Sequence, residues 1–325
     1  MLAAIALAAF AVSLALAALL VSRFGRLALD RPNERSLHAR PVPRTGGLAV
    51  LAGTLSSVAF GAAPLWLPLA LAGALALVSF IDDLRGVRTL GRLGVHLGAA
   101  GLLVWYVVTP LDITAALVLV LAVAWLTNLY NFMDGSDGLA GGMTLIGFGA
   151  YAVAAWLGAD SPLLTLDMAI AFAAAGFLCF NFPPARIFLG DVGSVPLGFL
   201  AAALGLIGWQ ADVWPLWFPL LVFAPFIGDA TLTLLRRLVR GQRIWQPHRE
   251  HYYQRLVRLG AGHRGTALLA YALMLACALA ALYARGQAPA VQASIFAGAC
   301  AVLAGVAAWV EVRWARQMRT GQAPT

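Results

Sequence analysis

Asn128, Asn131, Asp134 and Asp137 recur at every third position, and the run closes on Gly138-Leu139-Ala140-Gly141-Gly142. Positions three apart share one face of a helix, so at least the first three side chains can project together before the glycines open the backbone. The stretch follows a long apolar run, Leu117 to Leu126, and leads into another. A lone Asp-Gly pair there would read as a helix cap and a turn. Two amides and two carboxylates read as a site, because ionisable groups at the edge of an apolar phase are costly unless something binds them.

Four further stretches carry similar side chains. One is the run from Asp30 to Gly47, with His38 and Arg44; the others are Asp82-Asp83, Asn181 to Ser194 with Asp191, and His248-Arg249-Glu250-His251. The carboxylates Asp82, Asp83, Asp134, Asp137 and Asp191 come from three separate loops. Brought together, unneutralised like charges would take up protons or a cation. Oxygen ligands without a Cys/His cluster suit a hard ion; Mg2+, with Mn2+ as a substitute, takes one or two carboxylates plus substrate phosphates. Arginine forks and histidines would then meet phosphate oxygens. The set describes metal-assisted phosphoryl transfer. Taken singly, Asp82-Asp83 reads as a cap or solvated pair and His248 with His251 as a polar helix face; the combination is what is specific.

These residues need a scaffold, and composition supplies its class. Hydrophobic residues make up 62% of the chain and charged ones 11%, with a mean hydropathy of +0.84, far from the balance of a soluble domain. The fold class predicted is all-α, a polytopic membrane helix bundle, with residues 1–325 forming a single integral-membrane domain. The period-two alternation of a membrane β-barrel is absent. Apolar runs near 2–22, 46–63, 64–80, 93–109, 112–130, 138–158, 162–180, 194–211, 213–230, 266–284 and 290–310 give about eleven transmembrane helices. The first run lacks the positive segment of a secretory signal and reads as a retained helix. Cys179, Cys277 and Cys300 stand singly in apolar runs, which suggests neither a disulfide framework nor a zinc site.

Charge orients the bundle. All 22 basic residues are arginine, and only Arg285 falls on the side opposite the other 21. The positive-inside rule makes the arginine side cytoplasmic, with the N-terminus outside and the C-terminus inside. The net charge of +8 is then topology, together with attraction to membrane lipid or phosphorylated substrates. A nucleic-acid partner is not expected, since that needs a solvent-facing basic groove with stacking aromatics. Trp209, Trp214 and Trp217 cluster near span ends and read as interface anchors. Asp112, Asp160, Asp167 and Asp212, on the outer side, read as caps and solvated turns. The chemistry is expected on the cytoplasmic face.

On these motifs the chain resembles the polyprenyl-phosphate N-acetylhexosamine-1-phosphate transferase family, glycosyltransferase family 4. That family includes phospho-N-acetylmuramoyl-pentapeptide transferase and the enzymes that initiate O-antigen, enterobacterial common antigen and teichoic acid synthesis. The match runs from about Asp30 to Arg264 and rests on the five stretches in their order. The resemblance implies that undecaprenyl phosphate attacks the β-phosphorus of a UDP-N-acetylhexosamine, giving undecaprenyl-diphospho-sugar and UMP. One phosphoanhydride replaces another, and no ATP-hydrolysing motif is found. It implies a bacterial inner membrane enzyme with its active site facing the cytoplasm.

The resemblance also assigns roles. Asp191 matches an Mg2+ ligand, and Asp82 and Asp83 match the catalytic pair, with Asp82 as base or phosphate-site group. Asp134 and Asp137 look like the pair near the nucleotide and the metal, and Asn131 and Asn181 like flanking polar contacts. Phe188 is placed like an aromatic that stacks on uracil. His248, Arg249 and His251 correspond to a histidine motif over the diphosphate, with His38 and Arg44 joining from the first loop. Arg249-Glu250 separates histidines that are consecutive in the muramoyl-pentapeptide branch, Arg44 precedes Thr45-Gly46-Gly47, and the chain has no lysine. These departures favour the branch that starts surface polysaccharides, with the peptidoglycan enzyme as the alternative. A lipid-linked sugar transporter or flippase is the alternative of another class; such proteins place polar residues near the bilayer midplane and in repeated halves, whereas here the span centres are apolar. The identity of the sugar and the oligomeric state, a homodimer included, stay open.

Overall fold

The computed structural model describes residues 1–25, 28–30, 32, 37–38, 40–86, 89–108, 112–243, 246 and 248–319. Residues 31, 33–36 and 39 of the first loop, and Pro247 before the histidines, lie outside the described residues. In order come α1 (Leu2–Arg23), α2 (Gly46–Leu55), α3 (Trp66–Arg85), α4 (Thr89–Val107), α5 (Ile113–Phe132), α6 (Leu139–Leu157) and α7 (Ser161–Asn181). They are followed by α8 (Asp191–Gln210), α9 (Trp217–Val222), α10 (Ala224–Val239), α11 (Tyr252–Leu256), α12 (Gly262–Ala284) and α13 (Pro289–Arg319). The short strands Leu29–Asp30 and Val42–Pro43 pair antiparallel and fasten the first loop to itself.

Among the described residues, nine helices are long and apolar enough to cross a membrane. Two expected spans take another form. Residues 46–63 give the 10-residue α2 and then tight turns at Ser56–Phe60 and Ala63–Leu65 around Pro64. The run 213–230 breaks at Phe223, because Pro225 at the start of α10 has no N–H to continue the α9 ladder. Both segments still connect the two ends of the bundle. Gly46 donates to the Phe188 carbonyl at the end where α3 finishes with Asp82-Asp83, and α10 arrives at that same end with Arg236 and Arg237.

Helix α8 sits at the centre, packed by α2, α3, α4, α5 and α6 and buried along most of its length. Small residues allow this closeness, as in other membrane bundles. A Cβ on Gly47 of α2 would lie 2.3 Å from the Gly193 Cα of α8. By contrast, α13 is peripheral, with Val310 its one buried residue among those described.

The acids expected on the outer side divide. Asp112 accepts from the amides of Thr114 and Ala115, and Asp160 from that of Leu163, so both are N-caps as expected. Asp167 corrects the expectation of a solvated turn: it is fully buried inside α7, and neither carboxylate oxygen has a hydrogen-bond partner among the described residues. Arg285, the arginine expected on the outer side, is also structural. Arg285 donates to the carbonyls of Ala154 at 2.9 Å and Val213 at 2.7 Å, fastening the end of α12 to the end of α6.

Candidate active site

The site begins where α8 begins. Gly190 has φ +71°, and a Cβ there would lie 2.2 Å from the Arg44 carbonyl oxygen, so only glycine lets the 182–190 loop press against the first loop. The Gly190 amide donates to Asp134 Oδ2 at 3.2 Å. Ser194 Oγ, one turn into α8, donates to Asn131 Oδ1 at 2.8 Å. Asn181 spends its amide on backbone, donating to the Ile187 carbonyl at 2.8 Å and accepting from the Gly138 amide at 3.0 Å. Asp137 Oδ2 accepts from the Ala185 amide at 2.9 Å. The Asn-Asp stretch and the loop before α8 are thus stitched together, with Asp134 and Asp191 neighbouring at the centre.

Asp82 and Asp83 end α3 and part company. Arg92, on the first turn of α4, places Nη1 2.6 Å from Asp82 Oδ2 and 3.6 Å from Asp191 Oδ2. Arg44 reaches Asp83 instead, with Nη1 at 3.4 Å from Oδ1. The Asp83 side chain is 4% exposed, and its Oδ2 has no hydrogen-bond partner among the described residues.

The histidine motif folds over the same end. His248 lies with its ring centroid 4.9 Å from that of His251. His251 is buried, with Nδ1 3.2 Å from Asp229 Oδ1, and Asp229 also accepts from the amides of Tyr252 and Tyr253 at 2.9 Å. Burial, then the neighbouring His251 and Arg237, push the His248 imidazole down to about 4, so the ring is neutral near pH 7. Burial at the cleft floor and the adjacent Asp191 carboxylate hold Asp134 well above the usual carboxylate range.

Two clefts open here. The first, about 320 Å³, is polar and lined by His38, Arg44, Asp134, Asp137, Phe188 and Asp191 among others. The Phe188 ring meets His38 edge-on, centroids 4.9 Å apart. The second, about 580 Å³, runs between α3, α4, α5, α8 and α10, with Val78, Leu93, Val195 and Leu234 on its walls and Arg92 and His96 beside them. Asn131, Phe132, Asp191 and His248 line both clefts. The structure thus gathers Asp134, Asp191, Asn131, His248, Asp137, Asn181, Phe188, Arg44 and His38. Asp82 and Asp83 lie behind the walls, His251 faces the second cleft alone, and Arg249 is exposed and lines neither.

Sequence reasoning missed three participants. Arg92 and His96 are four residues apart and so share a face of an otherwise apolar helix, a signal that was present; His96 Nδ1 sits 3.2 Å from Asn128 Oδ1. His263 gave no signal as a single histidine beyond the motif. Its Nε2 donates to the Leu37 carbonyl at 3.0 Å, leaving Nδ1 to accept from the Asp137 amide at 3.2 Å.

Among the described residues no three His, Cys, Asp or Glu side chains gather at metal-ligand range. Asp134 and Asp191 line one cleft together with Asn131, close enough for the Asp191 charge to raise the Asp134 carboxyl. Two hard carboxylates, one of them raised by the other, fit a cation that completes its shell with water and phosphate oxygens, as Mg2+ does. They do not fit a soft or fully protein-ligated ion.

Membrane-length helices carrying a carboxylate- and arginine-lined cleft at one end define a polytopic membrane protein suited to a polyanionic ligand. The sequence profile described as glycosyl transferase family 4 matches residues 65–209. A probable undecaprenyl-phosphate N-acetylglucosaminyl 1-phosphate transferase of Bacillus subtilis (strain 168) is 32% identical over 263 residues, covering 75% of this chain and 74% of that protein. A decaprenyl-phosphate N-acetylglucosaminephosphotransferase of Mycobacterium tuberculosis (strain ATCC 25618 / H37Rv) is 33% identical over 305 residues, 78% of this chain and 74% of the relative. A phospho-N-acetylmuramoyl-pentapeptide-transferase of Enterococcus faecalis is 32% identical over 144 residues, 44% of each chain. The chain belongs to glycosyl transferase family 4.

Proposed function

We propose that the protein transfers an N-acetylhexosamine 1-phosphate from a UDP-sugar to undecaprenyl phosphate, releasing UMP and leaving undecaprenyl-diphospho-sugar. The observation that carries this reading is the junction of the two clefts at Asn131, Phe132, Asp191 and His248. A polar chamber suits a nucleotide sugar, and a chamber with apolar walls between membrane helices suits a lipid phosphate. Their phosphates would meet where a carboxylate and a neutral imidazole are shared. The names of the relatives matched along most of the chain, both N-acetylglucosamine-1-phosphate transferases, support the donor class. The peptidoglycan alternative has weaker support, because the relative of that kind covers less than half of the chain.

Asp134 and Asp191 would hold Mg2+, which would draw charge from the diphosphate oxygens. The protein's own groups divide the rest. Arg44 and Arg92 present guanidinium forks to phosphate, Phe188 offers an aromatic face to the base, and neutral His248 gives one donor and one acceptor at the junction. Asp82 orients Arg92. Asp83, paired with Arg44, orients that second guanidinium in the same way. A cytosolic nucleotide sugar requires this end to face the cytoplasm of a bacterial inner membrane, where the product would start a surface polysaccharide.

The test is direct. Purified protein given undecaprenyl phosphate and a panel of UDP-N-acetylhexosamines, headed by UDP-N-acetylglucosamine, should release UMP and form a lipid-linked product identified by mass. No product with any donor, from protein that binds UMP, would refute the proposal.

A further inference from the structure

The loop carrying His248 and His251 is anchored by charges that the proposed chemistry does not use. Glu250, between the histidines, is met by three guanidinium groups: Arg237 directly, Arg236 at 3.8 Å and Arg255 at 3.7 Å. Arg236 also donates to the Glu250 backbone carbonyl at 2.9 Å. The same two arginines reach Glu311 on α13, Arg236 directly and Arg255 at 3.0 Å. Three residues beyond Glu311, the Trp314 ring lies under Arg255 and Arg258 at 5.1 and 4.8 Å. Two glutamates bridged by two arginines close a ring across α10, the histidine loop, α11 and α13.

This ring is not a solvated surface pair. The Arg255 and Arg237 side chains are 4% and 7% exposed, so removing one acid strands a guanidinium that water hardly reaches. Elsewhere α13 contributes little packing, yet its charged end is committed to this one loop. From Glu250 the constraint passes to both histidines. Its amide points to His248 Nδ1 at 3.4 Å, and the following residue, His251, is pinned to Asp229.

We infer that Glu311 is a positioning residue for the transfer: through Arg236 and Arg255 it fixes Glu250, and so aims His248 into the junction of the two clefts. The inference rests on the transferase reading, and it makes the last helix a strut of a site that it does not line. Mere stabilisation would lower the amount of folded protein and leave each folded molecule fully active. Positioning lowers turnover per folded molecule, because a small displacement of a reacting group is costly.

The experiment compares wild type with E311Q and E311D, each rate normalised to the UMP-binding sites present. For E311Q, kcat should fall on the order of ten- to a hundredfold, with the donor KM within about twofold. Backbone amide exchange should quicken over residues 248–256 and stay unchanged over 128–142. E311D, which keeps the charge on a shorter arm, should retain more of kcat than E311Q. Wild-type normalised kcat in E311Q, or a loss confined to the number of UMP sites, would overturn the inference. If E311Q yields no UMP-binding protein, E311D decides: about a threefold or larger loss of normalised kcat is expected, and full activity overturns the proposal. A wild-type protein inactive with every donor would sink the transferase reading instead, a failure visible before any variant is made.

Discussion

His248 offers the sharpest quantitative expectation. Its folded value of about 4 against an ordinary 6.5 means that, between those pH values, the unfolded chain binds a proton that the folded chain refuses. Folding stability from this group is therefore fully present above about pH 6.5 and is lost as the pH falls toward 4. The full difference corresponds to roughly 3 kcal/mol, and partial solvent access to the half-buried ring reduces it to about 1–2 kcal/mol. The assay is an imidazole titration by NMR on ¹⁵N-histidine-labelled protein, with the His248 signal assigned by its loss in His248→Gln. Its midpoint should lie near 4, not 6.5. Denaturation midpoints should fall less on acidification in His248→Gln than in wild type, because the variant has no ring to protonate. A His248 midpoint at 6 or above, or identical acid sensitivity in the two proteins, would refute the burial argument, and a midpoint above 7 would refute the claim that a neutral imidazole serves the site.

Chelation should abolish turnover, Mg2+ or Mn2+ should restore it, and Asp191→Asn should lose about 10²-fold or more while still folding; full activity in excess chelator removes the metal from the site. Single cysteines near Gly241 should react only with cytoplasmic reagents and ones near Ala159 only with external ones, and the reverse pattern would invert the orientation. Arg285→Ala should cost about 2 kcal/mol of stability through two lost charge-assisted bonds, read as a lower denaturation midpoint with normalised kcat intact; an unchanged midpoint denies its fastening role. Phe188→Ala should mainly raise the donor KM, whereas Asp82→Asn should mainly lower kcat, on the order of 10²-fold; the reverse split would undo both assignments.

The order of the motifs made the site legible, because each chemistry-bearing stretch falls at the same end of an alternating run of apolar helices. That alternation turns five separated stretches into one cluster without any knowledge of packing. Distances between helices were not legible. Asp167 resembles the other acids expected on the outer side, since a sequence does not tell a residue nearly two turns inside a buried helix from one at its rim. Pro225 stands inside an apolar run of membrane length, 213–230, and apolar content alone does not say that the helix breaks there. Glu311 sits at the end of an ordinary apolar run, and its partners lie about 55 to 75 residues upstream, beyond any local pattern.

The adjacency of Asp82 and Asp83 finds its reason in the structure. Neighbouring side chains on a helix diverge by about 100°, so a consecutive pair cannot serve one atom equally but can serve two partners on different elements. Asp82 turns to Arg92 on α4 and Asp83 to Arg44 in the first loop. Arg92 extends on to Asp191, the first residue of the central helix. One helix end thereby holds two guanidinium forks toward the place where a diphosphate would lie, each oriented before any ligand arrives. A fork already held in its binding geometry loses less freedom on taking up phosphate. Either aspartate changed to asparagine frees a different arginine, so the two substitutions should weaken different phosphate contacts and not duplicate each other.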